Sequence, residues 1–168
     1  WESVIDRLGA WCAPGGMNFV GGEPLLRKDL PDLIARSNRW GFETSFNTNG
    51  WLVTADNAQR IAAAGADVVY VSLDGFDRDT IDHSRGRKGS YDKAMEAIDT
   101  FDSLPNPRVV IAAIVHAQNA DQMEPLLTWA EQRQFQLVVQ PLYQNFGDVD
   151  YDENWWEKSD LWPAEEHQ

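Results

Sequence analysis

Cysteine is nearly absent: Cys12 is the only one in 168 residues. No disulfide can therefore close within the chain, and no Cys₂ or Cys₃ metal site can form within it. Basic residues are also few. Fourteen Lys and Arg stand against 27 Asp and Glu, a net charge of −13. Such a surface repels phosphate backbones, which argues against nucleic acid as a partner. No apolar run approaches the ~20 residues that span a bilayer, so no membrane partner is expected, and the expected location is cytoplasmic. What is present is ordinary for a soluble protein, 43% hydrophobic and 24% charged, which excludes a fibrous or disordered chain. One domain is expected at this length, burying roughly two thirds of the surface that the unfolded chain exposes.

Hydrophobic periodicity alternates between helix and strand. Trp1, Val4, Ile5, Leu8 and Trp11 already fall at helical spacing, so the chain is expected to open inside a helix, without the part of the domain that precedes it. Pro14, Gly15 and Gly16 break that helix. A strand is expected over 17–20, a helix over 30–40 stopped by Gly41, and a strand over 42–46. A helix capped by Thr54 runs to Gly65, and 68–73 is a near-continuous apolar strand of the kind covered on both faces. A helix over 91–101 with Ser90 as its cap, a strand over 108–115, a helix over 121–134 and a strand over 135–140 complete the ladder. Strand ends recur every ~25–40 residues, which suits repeated βα units. The fold class is therefore α/β, with parallel strands in a barrel or a doubly wound sheet.

Both architectures carry their chemistry at the C-terminal ends of the strands. Those ends hold Gly21, Gly22 and Glu23, then Thr48 and Asn49, then Ser72 and Asp74, then His116, then Gln140. Polar and glycine residues at five successive strand ends point to a ligand rim. Each residue alone has a plainer reading as a cap, turn or packed side chain. Arg85 lies in the loop after the third strand, with Arg87 and Lys88 beside it as expected surface charges. Cys12, on a helix, is expected to be a small buried hydrophobe. Residues 143–168 differ in character. Trp155, Trp156, Trp162, Tyr143 and Tyr151 stand among many carboxylates and one lysine, which suggests an acidic aromatic extension to a core over 1–142.

The stretch Met17-Asn18-Phe19-Val20-Gly21-Gly22-Glu23-Pro24 resembles the second strand and glycine-rich loop of radical S-adenosylmethionine (radical SAM) enzymes. Thr48-Asn49-Gly50, Val71-Ser72-Leu73-Asp74-Gly75 and Asp82-His83-Ser84-Arg85-Gly86 resemble the same family in order and spacing. The resemblance implies a partial (β/α)₆ TIM-like barrel whose first βα element is missing here. It implies two cofactors, SAM and a 4Fe-4S cluster, an electron donor, and a 5′-deoxyadenosyl radical acting on a peptide or cofactor precursor. It also gives the rim residues roles. Gly21 and Gly22 admit the ligand close to the backbone, and Glu23 faces the methionyl ammonium. Thr48 and Ser72 reach a carboxylate or ribose, and Asp74 meets the ribose diol. Arg85 pairs with the carboxylate, while Asn49, His116 and Gln140 are further rim candidates.

The family's Cys-x₃-Cys-x₂-Cys loop, which ligates the cluster, is not found in this sequence. No metal ligands are expected within the chain, and alone it is expected to be inactive. Two other readings stay open: a cluster-less binding domain of the same fold, and a βα-barrel enzyme of another class with Glu23 or Asp74 as general base.

Overall fold

The computed structural model describes residues 1–142. Five strands, β1 (Gly16–Phe19), β2 (Glu43–Thr48), β3 (Val68–Ser72), β4 (Arg108–Val115) and β5 (Gln136–Pro141), are all parallel. They lie side by side in chain order, β1-β2-β3-β4-β5. A doubly wound sheet would reverse its strand order at some point. Unbroken sequential order is the arc of a barrel, and among the described residues the arc is not closed: β1 and β5 are its edges there.

The helices are α1 (Glu2–Trp11), α2 (Leu30–Arg39), α3 (Ala55–Ala63), α4 (Arg78–Ser84), α5 (Ser90–Asp102) and α6 (Met123–Gln132). Together with the strands they build one core. Phe46, Val69, Val71, Leu73 and Ile111 are fully buried against Leu30, Ile34, Ile61, Ile98, Phe101 and Leu126. The Phe46 and Phe101 rings meet edge to face at 5.8 Å, a preferred aromatic geometry. The alternate residues Ser45, Asn47, Tyr70, Ser72, Ala112 and Ile114 are only half-buried. They occupy the other face of the pleat, so the face turned away from the core carries several polar groups.

The expected ladder is present, with differences at its ends. β2 continues two residues past Phe46, so Asn47 and Thr48 are strand residues paired with Tyr70 and Val71. Pro141 lies within β5 because, at the edge, its missing N–H removes no ladder bond. Thr54 does cap α3: its hydroxyl accepts from Asn57 N at 3.2 Å while Asn57 Oδ1 accepts from Thr54 N at 2.9 Å, a reciprocal arrangement worth about 1 kcal/mol. Ser90 is not a cap. Gly89 holds that position with φ +90°, and Ser90 is the first residue of α5. Cys12 is exposed as the C-cap of α1, a correction to its reading as a buried hydrophobe. Short α4 is an element that periodicity does not reveal, because Ile81 is the one buried residue among its seven.

The apolar stripe of α1 is only partly buried by the described residues. Ile5 is buried, whereas Trp1 and Trp11 are 73% and 84% exposed. Charge holds α1 in place instead. Arg36 of α2 donates to both Asp6 oxygens, at 2.8 and 2.6 Å, and Trp40 Nε1 donates to Asp6 at 3.1 Å. These donors lower the Asp6 carboxyl to about 2, Arg36 first. The extension assigned to residues 143–168 lies outside the described residues.

Candidate functional site

At the C-terminal end of β1 the chain passes through Gly21 at φ +145°, a conformation that favours glycine. Gly22 has no positive φ, and a Cβ built on it would meet no atom within 4 Å. Nothing inside the described protein therefore requires glycine at position 22. Glu23 then caps the following 3₁₀ turn (Pro24–Leu26), accepting from Leu25 N at 3.2 Å. The same carboxylate reaches across to β2, where Thr48 Oγ1 donates at 3.0 Å and Asn49 N at 2.9 Å. Glu23, Thr48 and Asn49 thus form one unit that fixes the glycine loop to the end of β2.

A second unit lies at the end of β3. Asp74 is 3% exposed. One of its oxygens accepts from Ile114 N at 2.8 Å, the other from Arg85 Nε at 2.6 Å. Asn119, itself fully buried, donates to the Asp74 and Ile114 carbonyls and accepts from His116 N at 2.7 Å. Asp74 and Arg85 therefore meet each other in this structure, and each oxygen of Asp74 already accepts a hydrogen bond. Asn119 is the buried partner that the sequence does not announce, since an Asn three residues past a strand reads as loop.

The loop that carries Arg85 is held at its far end too. Asp82 accepts from Gly89 N at 2.6 Å and Tyr91 N at 3.2 Å. These backbone donors, Gly89 first, hold its carboxyl below the usual aspartate range. Arg85, Asn49 and Ser72 come together around a cavity of about 240 Å³, joined by Trp51, Arg87 and Ser90. On the half-buried face of β2, one residue before Thr48, Asn47 Oδ1 is buried with no hydrogen-bond partner among the described residues. A buried acceptor left unpaired is costly unless something else supplies a donor.

Two candidates stand apart. His116 is buried at the end of β4, its Nδ1 accepting from Gln118 N at 3.3 Å. Gln140 is exposed on β5, opposite Ile114 in register. Arg87, expected from the sequence as a surface charge, belongs to the cavity, and so does Trp51, which the sequence analysis does not single out.

These units sit on the C-terminal ends of parallel strands in a barrel arc, and the family comparison agrees with that placement. The model of the "Radical SAM superfamily" matches residues 2–130. The chain belongs to the radical SAM superfamily. The "Fe-coproporphyrin III synthase" of Methanosarcina barkeri is 39% identical over 97 residues, which are 58% of this chain and 24% of that protein. The "PqqA peptide cyclase" of Granulibacter bethesdensis is 30% identical over 131 residues, 78% of this chain and 34% of that one. The chain thus spans about a quarter to a third of the length of these relatives. Among solved structures, "Native anSMEcpe with bound AdoMet and Kp18Cys peptide" has a TM-score of 0.69 at 20% identity, over 89% of this chain and 45% of that one. That likeness shows the TIM-like fold. Membership sets aside the reading as a βα-barrel enzyme of another class.

Radical SAM proteins use SAM and a 4Fe-4S cluster, and the two fit this radical SAM chain differently. The cluster needs three thiolates. The chain has Cys12 alone, exposed at a helix end with its Sγ donating to Leu8 O at 3.1 Å. No group of three metal-ligating side chains occurs among the described residues. The cluster does not fit within these 168 residues. SAM does fit the rim: a glycine loop with open space beside it, an orphaned buried acceptor, and an arginine next to hydroxyl and amide groups.

Proposed function

We propose that residues 1–142 are the SAM-binding core of a cytoplasmic radical SAM enzyme that modifies a peptide or cofactor precursor, with residues 143–168 as an extension. The observation that carries this reading is the convergence of Asn49, Ser72 and Arg85 on one cavity at the C-terminal ends of β2 and β3. When bound, SAM supplies the sulfonium whose carbon–sulfur bond is the source of the radical.

The residues of this chain bind and orient. Arg85 spends Nε on Asp74, which leaves its terminal nitrogens as the donors that would hold the SAM carboxylate, with the Ser72 hydroxyl as a second donor. Asp74 acts through Arg85, as a positioning residue. Gly21 and Gly22 let the methionyl end lie against bare backbone. Glu23 supports that loop and places one negative charge beside the ammonium. Asn47 Oδ1 takes an N–H or O–H of the ligand and so loses its orphan status. Gln140 and His116 belong to the more distant arc of the rim.

Anaerobic reconstitution with iron and sulfide tests the reading. The 168 residues alone are expected to stay colourless and to release no 5′-deoxyadenosine. The protein with its native flanking sequence is expected to gain the visible cluster band and to cleave SAM. A flanked protein that binds SAM yet takes up no cluster would favour the cluster-less binding domain instead.

A further inference from the structure

The chain has 27 carboxylates against 14 Lys and Arg, so an arginine here should easily find an acid. Among the described residues five of the ten arginines do so, Arg27, Arg36, Arg78, Arg85 and Arg133, and Arg7, Arg39, Arg60 and Arg108 form no ion pair. Arg87 has no ion pair among the described residues, although it sits in a loop fixed by Asp74 at one end and Asp82 at the other. Its guanidinium lies over the Trp51 ring, 3.4 Å from the centroid. Trp51 is itself held, its Nε1–H donating to Ser90 Oγ at 3.4 Å, and a Cβ at Gly89 (φ +90°) would stand 3.6 Å from the edge of its ring. A guanidinium stacked in this way has given up rotamer freedom in advance, while its edge N–H groups remain available for a planar acceptor.

The surroundings specify the acceptor. The cavity wall that Trp51 and Arg87 complete contains a second guanidinium from Arg85, hydroxyls from Ser72 and Ser90, an amide from Asn49, and no carboxylate. A wall without acid on so acidic a chain suits an anion. At about 240 Å³ the cavity is smaller than the ~300–1,000 Å³ typical of a whole ligand pocket, so it admits a group rather than a molecule. Arg85 lies deep, its side chain 26% exposed and tied to Asp74, whereas Arg87 stands exposed at the mouth. SAM carries one carboxylate, and Arg85 is placed to take it.

We propose that Trp51 and Arg87 form a separate subsite at the mouth of the cavity that recognises a carboxylate of the substrate. This deepens the function proposed above and rests on it. The group matches an acidic side chain or terminus of a peptide as well as an acid side chain of a cofactor precursor, and the planar fork reads the carboxylate itself in either case.

The test uses the protein with its native flanking sequence and, as probes, N-acetyl-glutamate amide, its neutral glutamine counterpart, and SAM, each titrated by calorimetry. The glutamate probe is expected to bind more tightly than the glutamine probe. Arg87→Gln is expected to weaken the glutamate probe about tenfold while SAM affinity stays within twofold. Trp51→Leu removes the stacking platform and is expected to weaken the same probe, with Arg87 intact. Circular dichroism of both variants controls for folding. Equal binding of the two probes to the parent protein, or no binding of either, overturns the subsite. So does a loss of SAM affinity in Arg87→Gln with the glutamate probe unaffected, which would give Arg87 to SAM. Failure of SAM itself to bind the parent protein would count against the proposed function, independently of the probe result.

Discussion

Replacement of Asp74 by alanine is expected to destabilise the protein by about 3 kcal/mol, the scale for removing one partner of a buried ion pair. The Asp74 side chain is 4% exposed and that of Arg85 26%, so the arginine left behind keeps some access to water. That places the effect at the lower end of the range rather than the upper. One further donor loses its acceptor, Ile114 N on β4. Asp74→Asn keeps an oxygen for Ile114 N but gives up the charge, and should cost about 1–2 kcal/mol. Urea unfolding of the two variants, compared at equal slope, measures both. If Asp74→Ala were as stable as the parent, the β3–β4 end would not be held by this carboxylate.

Glu23 separates charge from scaffolding. Glu23→Ala leaves Thr48 Oγ1, 2% exposed, and Asn49 N without their acceptor. It is expected to weaken SAM binding by about 1–3 kcal/mol through a misplaced glycine loop and a lost charge together. Glu23→Gln can keep its one oxygen for Leu25 N and the Thr48 hydroxyl, which share Oε1, and gives up only the bond from Asn49 N. If the negative charge faces the ammonium, Glu23→Gln lowers SAM affinity as much as Glu23→Ala while losing less thermal stability than Glu23→Ala. If Glu23 only braces the loop, Glu23→Gln binds SAM as the parent does and only Glu23→Ala suffers. Calorimetric titration with SAM beside a melting curve distinguishes the two. A Glu23→Ala variant with unchanged SAM affinity removes Glu23 from the site altogether.

The ladder of strands was readable because β3 and β4 are short apolar runs, β2 is bounded by Gly41 and Gly50, and glycine or proline breaks the elements between them. Val68 to Leu73 is the clearest instance, and β3 occupies that position. The loop motifs Gly21-Gly22-Glu23, Thr48-Asn49-Gly50 and Ser72-Leu73-Asp74 were readable as a rim for the same reason: they fall at the ends of those runs. What periodicity could not carry was pairing between distant loops. Arg85 and Asp74 each look like a ligand-facing charge in sequence, and only the packing of the loop after α4 against β3 brings them onto each other. Arg87 reads as one of several solvated charges until Trp51, thirty-six positions earlier, is found beneath it. Cys12 misleads in the opposite sense, because the apolar stripe around it suggests burial that the described residues do not provide.

The central claim is that SAM lies along the C-terminal ends of β1 to β3. Backbone amide spectra of the ¹⁵N-labelled 168-residue chain, titrated with SAM to millimolar concentration, test it most directly. The expected result is a saturable shift of the Gly21, Gly22, Asn49, Ser72 and Arg85 amides, with little change at Glu43, Asp67 and Arg108 at the opposite ends of the strands. Shifts confined to those opposite ends, or a folded spectrum that SAM leaves unmoved, would contradict it.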